Sequence, residues 1–251
     1  PEPISLAGAD QNTAWQGALR NMDGSNVLTG VLSGGPRIRC KAGSLHILGG
    51  IQTGGMIIAA DPGSYIRIAE KPVNFGTGQV GLYGTALFVI DVTNNVWGTL
   101  FLQSTTVRTD RDNVLAAGGA LRMGDYVNAL NLNGKNQTVR SLSRTAATGP
   151  GSSGSINSAT PATLTVNQDA TTEFNGAFAG AAGLVKTGSG ALTLSGASTL
   201  SGAVIVSNGN LLVTGTLGAA CTNVVVAGGT LTISNSTALS DNAAVRIEDG
   251  A

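Results

Sequence analysis

The residue types best suited to chemistry form one charged cluster. Arg108, Asp110, Arg111 and Asp112 fall within the segment VRTDRDNV. Two carboxylates on a sheet surface can cleave a glycosidic bond when one serves as a general acid and the other activates water. Alternating Arg and Asp side chains also neutralise each other in a solvated turn. The turn interpretation is favoured, and Asp110 and Asp112 are the catalytic candidates of the alternative.

Other residue types that often carry chemistry lack sequence partners. His46 is the only histidine, and its position between Leu45 and Ile47 predicts an outward side chain. No cysteine or acidic run lies beside it, so neither a metal site nor a Ser-His-Asp triad is predicted. The aspartates are scattered, unlike those of calcium-binding nonapeptide repeats. We therefore expect no metal and no cofactor.

One glycine-rich string matches the pattern of dinucleotide-binding loops. Gly76, Gly78 and Gly81 have the GxGxxG spacing. Such a loop must open a helix, whose N-terminus then faces the pyrophosphate. Here the strand-like segment 86–90 follows instead, so the string is predicted to be a turn.

Four aromatic residues lie close together in sequence. They are Tyr83, Phe88, Trp97 and Phe101. They could form a sugar-stacking platform on one face, or some of them could fill the core, and the second interpretation is favoured.

The elements that would position these side chains are short strands opened by glycine turns. The phrase Gly-x-Leu-x-aliphatic occurs six times, beginning at Gly43, Gly98, Gly119, Gly190, Gly209 and Gly229. Three consecutive copies are 19 and 20 residues apart. A constant period of this size is typical of a solenoid.

A second strand repeats between the glycine phrases. Val204–Val206 returns 20 positions later as Val224–Val226, and Val245 with Ile247 extends the series. Stacked copies would pair in a parallel sheet and bury their inward side chains against each other. The sequence predicts an all-β, single-stranded parallel β-helix with about 20 residues per coil. Its predicted aliphatic core contains Leu192, Leu194, Val204, Val206, Leu211, Val213, Val224, Val226, Leu231 and Ile233.

Composition excludes several functional classes. The 251 residues carry 14 basic and 14 acidic side chains, without a basic or acidic block, so nucleic-acid binding is not expected. No apolar stretch approaches the roughly 18 residues of a membrane span. Cys40 and Cys221 would lie about nine coils apart, on the order of 40 Å, which is too far for a disulfide. Both are predicted to be buried free thiols.

The organisation along the chain suggests an end region and one long domain. Residues 1–35 lack the strong repeat and are predicted to be an N-terminal cap, with a short capping helix within 10–21. Residues 36–251 are predicted to be one continuous β-helix with a long loop near 145–163. The final strand shows no polar cap, so its edge would favour pairing with another chain or with a further coil.

The segment Gly183–Val213 resembles the autotransporter-associated β-strand repeat. The resemblance rests on Lys186-Thr187-Gly188, on the phrase Leu-Thr-Leu-Ser-Gly ending at Gly196, and on Asn208-Gly209. Segments 130–143 and 164–178 are similar to sequences that precede such repeats. The resemblance implies an exported, right-handed β-helix of a Gram-negative bacterium. Family members are usually stalks, adhesins or display scaffolds.

The sequence as a whole predicts a non-enzymatic extracellular structural protein, secreted or held at the surface of a Gram-negative bacterium. It would serve as a rigid stalk, an adhesive passenger or a filament-forming subunit. Expected partners are further copies of the chain, stacked end to end into fibres, and surface glycans. The alternative is a polysaccharide-active enzyme or a glycan-binding module of the pectinase-like β-helix type.

Overall fold

The chain forms a parallel β-solenoid of about 11 turns. The computed structural model describes residues 2–6, 17–35, 37–144 and 153–248. These ranges contain 28 strands and no helix. Each turn adds a strand to the same sheet and pairs it in parallel with the strand one turn earlier, as Ile66 pairs with Leu45 and Phe88 with Ile66. The predicted fold class is confirmed.

Four sheets run along the axis and are numbered in chain order. Sheet 1 contains β1 (Ile4–Leu6), β4 (Leu32–Gly34), β7 (Ile51–Gln52) and β10 (Val73–Asn74). Sheet 2 contains β2 (Leu19–Asn21), β5 (Arg37–Cys40), β8 (Met56–Ala60), β11 (Gln79–Tyr83), β13 (Thr99–Gln103), β15 (Ala120–Met123) and β18 (Ser141–Arg144). Sheet 4 contains β20 (Thr172–Phe174), β22 (Ala191–Leu194), β25 (Asn210–Val213) and β27 (Thr230–Ile233).

Sheet 3 is the longest and runs the whole length of the rod. Its continuous path contains β3 (Ser25–Leu28), β6 (Ser44–Ile47), β9 (Tyr65–Ala69), β12 (Leu87–Asp91), β14 (Thr106–Thr109), β16 (Asn128–Asn131), β19 (Gly154–Asn167), β21 (Ala177–Thr187), β24 (Val204–Val206), β26 (Asn223–Val226) and β28 (Ala244–Ile247). Two further strands, β17 (Gln137–Val139) and β23 (Thr199–Leu200), pair with β19 and β21.

The core is a set of axial rows of inward side chains. Alternation along each strand turns every second residue inward, and the parallel register then stacks similar side chains at equivalent positions of successive turns. The row Leu184, Val204 and Val224 is fully buried and repeats every 20 residues. The ladder of main-chain hydrogen bonds and these rows run together along the axis of the solenoid.

Glycines close the corners because successive turns approach there at backbone distance. In the column Gly176, Gly196 and Gly215, a Cβ added at Gly196 would lie 2.0 Å from the carbonyl oxygen of Gly176. A Cβ added at Gly215 would lie 2.2 Å from the carbonyl oxygen of Gly196. Only glycine allows the turns to stack at this corner.

The predicted core is correct except at its last strand. Eight of the ten predicted residues are buried, but Leu231 is only partly buried and Ile233 is 36% exposed. These two side chains are exposed because β27 is the last strand of sheet 4 and no described strand lies on its far side. The prediction that these two residues are buried was therefore wrong for the described part of the chain.

Two expected irregular regions contain strands. β1 to β4 lie within residues 1–35 and pair in sheets 1, 2 and 3, where a cap had been expected. The helix expected within 10–21 falls largely on residues 7–16, outside the described residues, and Leu19–Asn21 are strand β2. The loop expected near 145–163 is strand from Gly154 onward, because β19 continues the register of sheet 3. Residues 145–152 lie outside the described residues.

Cys40 and Cys221 are both free and fully buried, as predicted. Burial raises the pKa of the Cys221 thiol, and a backbone hydrogen bond at Asn223 partly opposes this. Within the described ranges, no helix has the length and apolarity that crossing a membrane requires.

Candidate functional site

The catalytic candidates lie in the turn that follows β14, where both carboxylates already have hydrogen-bond partners. Asp110 accepts two hydrogen bonds from the Arg108 guanidinium at 2.7 and 2.8 Å and a third from Asn133 Nδ2 at 3.0 Å. Asp112 accepts a hydrogen bond from the backbone N–H of Asn136 at 2.6 Å. Asn133 and Asn136 belong to the next turn of the solenoid, so both carboxylates join neighbouring turns.

Arg111, the fourth member of the cluster, points to a different carboxylate. Its Nε donates to Asp91 Oδ1 at 2.6 Å, and Arg67 donates to Asp91 Oδ2. Burial raises the pKa of Asp91, but the hydrogen bonds and charges of Arg111 and Arg67 outweigh burial and hold the pKa below its ordinary value. The three side chains come from three successive turns and hold them in register.

This triplet was missed from sequence although a signal existed. Arg67 and Asp91 are 24 residues apart, and Asp91 and Arg111 are 20 apart, which is about one turn in each case. Opposite charges separated by one period at outward positions predict an axial ion pair. The same rule finds Arg39 and Asp61, which are joined at 2.7 Å.

His46 lies on the outer face of β6, as predicted, and its ring is 5.6 Å from that of Tyr65 on the next turn. Within the described ranges, no three His, Cys, Asp or Glu side chains are placed to share a metal ion.

Gly76 and Gly78 lie in the turn between β10 and β11, and Gly81 lies within β11. The turn interpretation of the GxGxxG string is therefore confirmed for Gly76 and Gly78 and wrong for Gly81, which continues into the strand.

The four aromatic residues divide between the interior and the surface. Phe88 and Trp97 are buried. Tyr83 and Phe101 are half-buried on the outer face of sheet 2, with ring centroids 5.8 Å apart in an edge-to-face arrangement. The interpretation that some of the four aromatic residues fill the core is confirmed by Phe88 and Trp97, whereas alternation along β11 and β13 turns Tyr83 and Phe101 outward.

A surface cleft of about 670 Å³ lies beside Trp97. Its lining contains no carboxylate and a single charged side chain, Arg140. Arg140 Nε donates to the carbonyl oxygen of Gly118 at 2.9 Å. The cleft therefore lacks the acid pair that glycoside hydrolysis requires.

One charged side chain occupies a core position. Lys186 is fully buried in an inward row between Val166 and Val206. Its ammonium group donates to the carbonyl oxygens of Thr187 at 2.5 Å, Gly188 at 2.8 Å and Asn208 at 3.3 Å. Burial lowers the pKa of Lys186, and the negative charge of Asp169 partly opposes this.

These observations define a class of protein: a parallel β-solenoid in which several charged side chains join one turn to the next. Residues 184–213 match the family of passenger-associated transport repeats. The matched segment runs from β21 through β25 and includes Lys186 with the turns that it joins. The matched repeat and the solenoid fit an autotransporter passenger β-helix repeat. Searches of curated proteins and of solved structures gave no match to the chain.

Proposed function

We propose that this chain is part of a non-enzymatic passenger that acts as a rigid structural rod at the surface of a Gram-negative bacterium. The observation that carries the proposal is the continuous path of eleven parallel strands in sheet 3. A rod of about 11 turns at roughly 4.8 Å per turn is about 50 Å long. The engagement of Asp110 and Asp112 between turns supports a structural role for the charged cluster.

The rod is tested by small-angle scattering and electron microscopy of the purified chain. We expect an elongated particle whose long dimension is about 50 Å and whose core resists protease. A compact globule or a flexible string would contradict the proposal.

Surface display is tested separately in the source bacterium. An antibody raised against the folded chain should label intact cells or detect the protein in the culture medium. Labelling that requires cell lysis would contradict the location but would leave the rod intact as a structural result.

Self-association forms a further part of the proposal. Strand β28 lies at the end of sheet 3, where Val245 is 47% exposed and Ile247 is 70% exposed. An exposed parallel edge with apolar side chains can pair with another coil. Sedimentation of the purified chain should show a mass that rises with concentration and falls in a Val245→Lys, Ile247→Lys double variant. Discrete monomers at high concentration would contradict end-to-end stacking.

A further inference from the structure

The cleft beside Trp97 lies in the turns that lead into four successive strands of sheet 2. Its lining comes from segments 76–77 and 95–99, from Ala116 and Gly118, and from Arg140. These residues precede or begin β11, β13, β15 and β18. The volume of about 670 Å³ falls within the range of small-molecule sites, about 300–1,000 Å³. The cleft is therefore large enough for a small organic ligand.

Trp97 brings an unsatisfied hydrogen-bond donor to this cleft. The residue is only 4% exposed, yet its indole N–H donates to no acceptor among the described residues. The N–H of a buried tryptophan usually has a partner. The nitrogen is not among the polar atoms that the described residues fully enclose without a partner, so it reaches solvent, and Trp97 lines the cleft. An acceptor bound in the cleft would satisfy it.

Arg140 brings a positive charge to the same place. Its Nε donates to the carbonyl oxygen of Gly118 at 2.9 Å, which turns the side chain back along the axis toward the turn that carries Trp97. Trp97 Nε1 lies beside the next residue, because a Cβ added at Gly119 would be 2.8 Å from it. The two donor groups therefore border one dipeptide. The other guanidinium N–H groups of Arg140 have no acceptor in the described part of the chain.

These two donors define the polar group of the ligand. A guanidinium and an indole N–H donate but do not accept, and the described lining contains no carboxylate. The matching group is an anion with at least two acceptor oxygens. The single positive charge of Arg140 balances a carboxylate, whereas a phosphate monoester carries about −1.5 to −2 near pH 7. A carboxylate can accept from the guanidinium with one oxygen and from the indole with the other.

The rest of the cleft is apolar and held in place. Val96 is 45% exposed and lines the cleft with Ala116 and the Trp97 ring. Val96 forms a parallel bridge with Asn74 on the preceding turn. The buried amide of Asn95 makes three hydrogen bonds to backbone groups of its own turn and of the turns on either side. The segment that carries Val96 and Trp97 is thus fixed before any ligand binds, which lowers the cost of binding.

We propose that the cleft beside Trp97, hereafter the Trp97 cleft, binds a small organic carboxylate with a compact apolar body. The carboxylate accepts hydrogen bonds from Trp97 Nε1 and from the Arg140 guanidinium, and the apolar body packs against Val96. This assigns a ligand to a solenoid for which we otherwise propose only a structural role. The binding site does not depend on whether the protein is exported or self-associates.

The first experiment observes the indole N–H directly by NMR of the ¹⁵N-labelled chain. The sequence has two tryptophans, so Trp15→Phe leaves Trp97 as the source of the one indole signal. Benzoate and hexanoate are titrated at constant ionic strength, with the neutral benzamide and hexanamide as shape-matched comparisons. We expect a saturable downfield shift with at least one acid, with a Kd of about 1 mM or tighter and at least about tenfold tighter than for its amide.

Two further probes test the class of ligand. Inorganic phosphate tests a general anion site, and galacturonate tests a carboxylate on a polar sugar ring. We expect both to bind more weakly than the better of benzoate and hexanoate. Equal or tighter binding of either probe would overturn the proposal, since the charge or the apolar body would then be assigned wrongly. The absence of a saturable shift with both acids, or equal affinity for acid and amide, would overturn it as well.

The second experiment uses variants with a matched control. Arg140→Gln should weaken binding of the acid by at least about tenfold and leave binding of the amide unchanged, because it removes a charge-assisted hydrogen bond. Arg246→Gln removes another exposed arginine, on β28, and should bind like the parent. Circular dichroism checks the fold of both variants. Parent-like affinity of Arg140→Gln, or equal losses in the two variants, would overturn the proposal.

Trp97→Phe tests the second donor, since it keeps a ring but removes the N–H. Equilibrium dialysis with radiolabelled acid should show a loss of about three- to tenfold, as expected for one neutral hydrogen bond. Parent-like affinity of a folded Trp97→Phe variant would contradict the role of the indole. Where this buried substitution disturbs folding, the exposed position of Arg140 keeps the proposal testable.

Discussion

The ammonium nitrogen of Lys186 lies 3.3 Å from the carbonyl oxygen of Asn208, which belongs to the next turn of the solenoid. The same nitrogen donates to Thr187 and Gly188 in its own turn. One buried side chain therefore satisfies carbonyl groups of two successive corners, after β21 and after β24. This contact gives a physical reason for a lysine within the matched repeat, because an aliphatic residue could fill the row but could not donate to the carbonyls.

Replacing Lys186 with methionine tests this role. Lys186→Met keeps most of the buried stem but removes the donor to the carbonyl oxygens of Gly188 and Asn208, while Thr187 O still accepts from the Gln168 N–H, so we expect a loss of about 1–3 kcal/mol in the free energy of unfolding. Removing a buried charge offsets part of this loss. Urea denaturation followed by circular dichroism measures the difference. Lys71→Met, at an exposed position, should leave the midpoint unchanged, and a Lys186→Met variant as stable as the parent would exclude the bridging role.

The glycine corners give a second prediction. Gly196→Ala places a methyl group 2.0 Å from the carbonyl oxygen of Gly176, so the two turns must separate locally. We expect a loss of about 1–3 kcal/mol, as for other overpacked sites. Gly118→Ala is the matched control, because an added Cβ there meets no atom within 4 Å. Thermal unfolding of both variants should show a lower midpoint only for Gly196→Ala, and equal midpoints would contradict close stacking at this corner.

Much of the fold could be predicted from sequence because each turn of a solenoid repeats the same strand pairing and the same pattern of buried side chains. Val204 and Val224 carry the same side chain at the same phase, so one period predicts both their pairing and their burial. The prediction was wrong at Leu231 and Ile233, because burial in a row needs a neighbour on each side. The alternation of apolar residues within a strand does not show whether a further strand pairs with that strand and covers its side chains.

The polar contacts were harder to predict, since they depend on which turn lies beside which. Asp110 and Arg111 are adjacent in sequence, yet Asp110 pairs with Arg108 and Arg111 with Asp91 on an earlier turn. Lys186 is inward by alternation, but a charged residue at an inward position contradicts simple hydrophobic patterning. Only the turn carbonyls around its ammonium group explain it, and their direction is a property of the folded corner.

Acid should weaken the contact between Asp91 and its two arginines. The pKa of Asp91 lies below its ordinary value in the folded chain, so its contribution to stability is present above about pH 4, the unfolded value. That contribution is lost as the pH falls through the folded pKa, because protonation removes both ion pairs. Asp91→Asn should therefore be less stable than the parent at pH 7, and the difference should shrink toward pH 2.

Urea midpoints at several pH values measure that difference. Asp241→Asn removes an exposed carboxylate and serves as the control for general charge effects. A constant difference between the parent and Asp91→Asn from pH 7 to pH 2 would show that the carboxylate contributes packing but no ion pairing.

The charged turn after β14 gives the prediction that separates a structural rod from an enzyme. Asp110 is held by Arg108 and Asn133 at a partly exposed site, so Asp110→Asn should change stability by less than about 1 kcal/mol. A reducing-sugar assay over acidic and neutral glycans should detect no cleavage by the parent chain, by Asp110→Asn or by Asp112→Asn. Cleavage by the parent that both substitutions abolish would overturn the structural proposal, since the two carboxylates would then act as the acid and base of a hydrolase. Binding of a glycan without cleavage would remain consistent with the proposed structural rod.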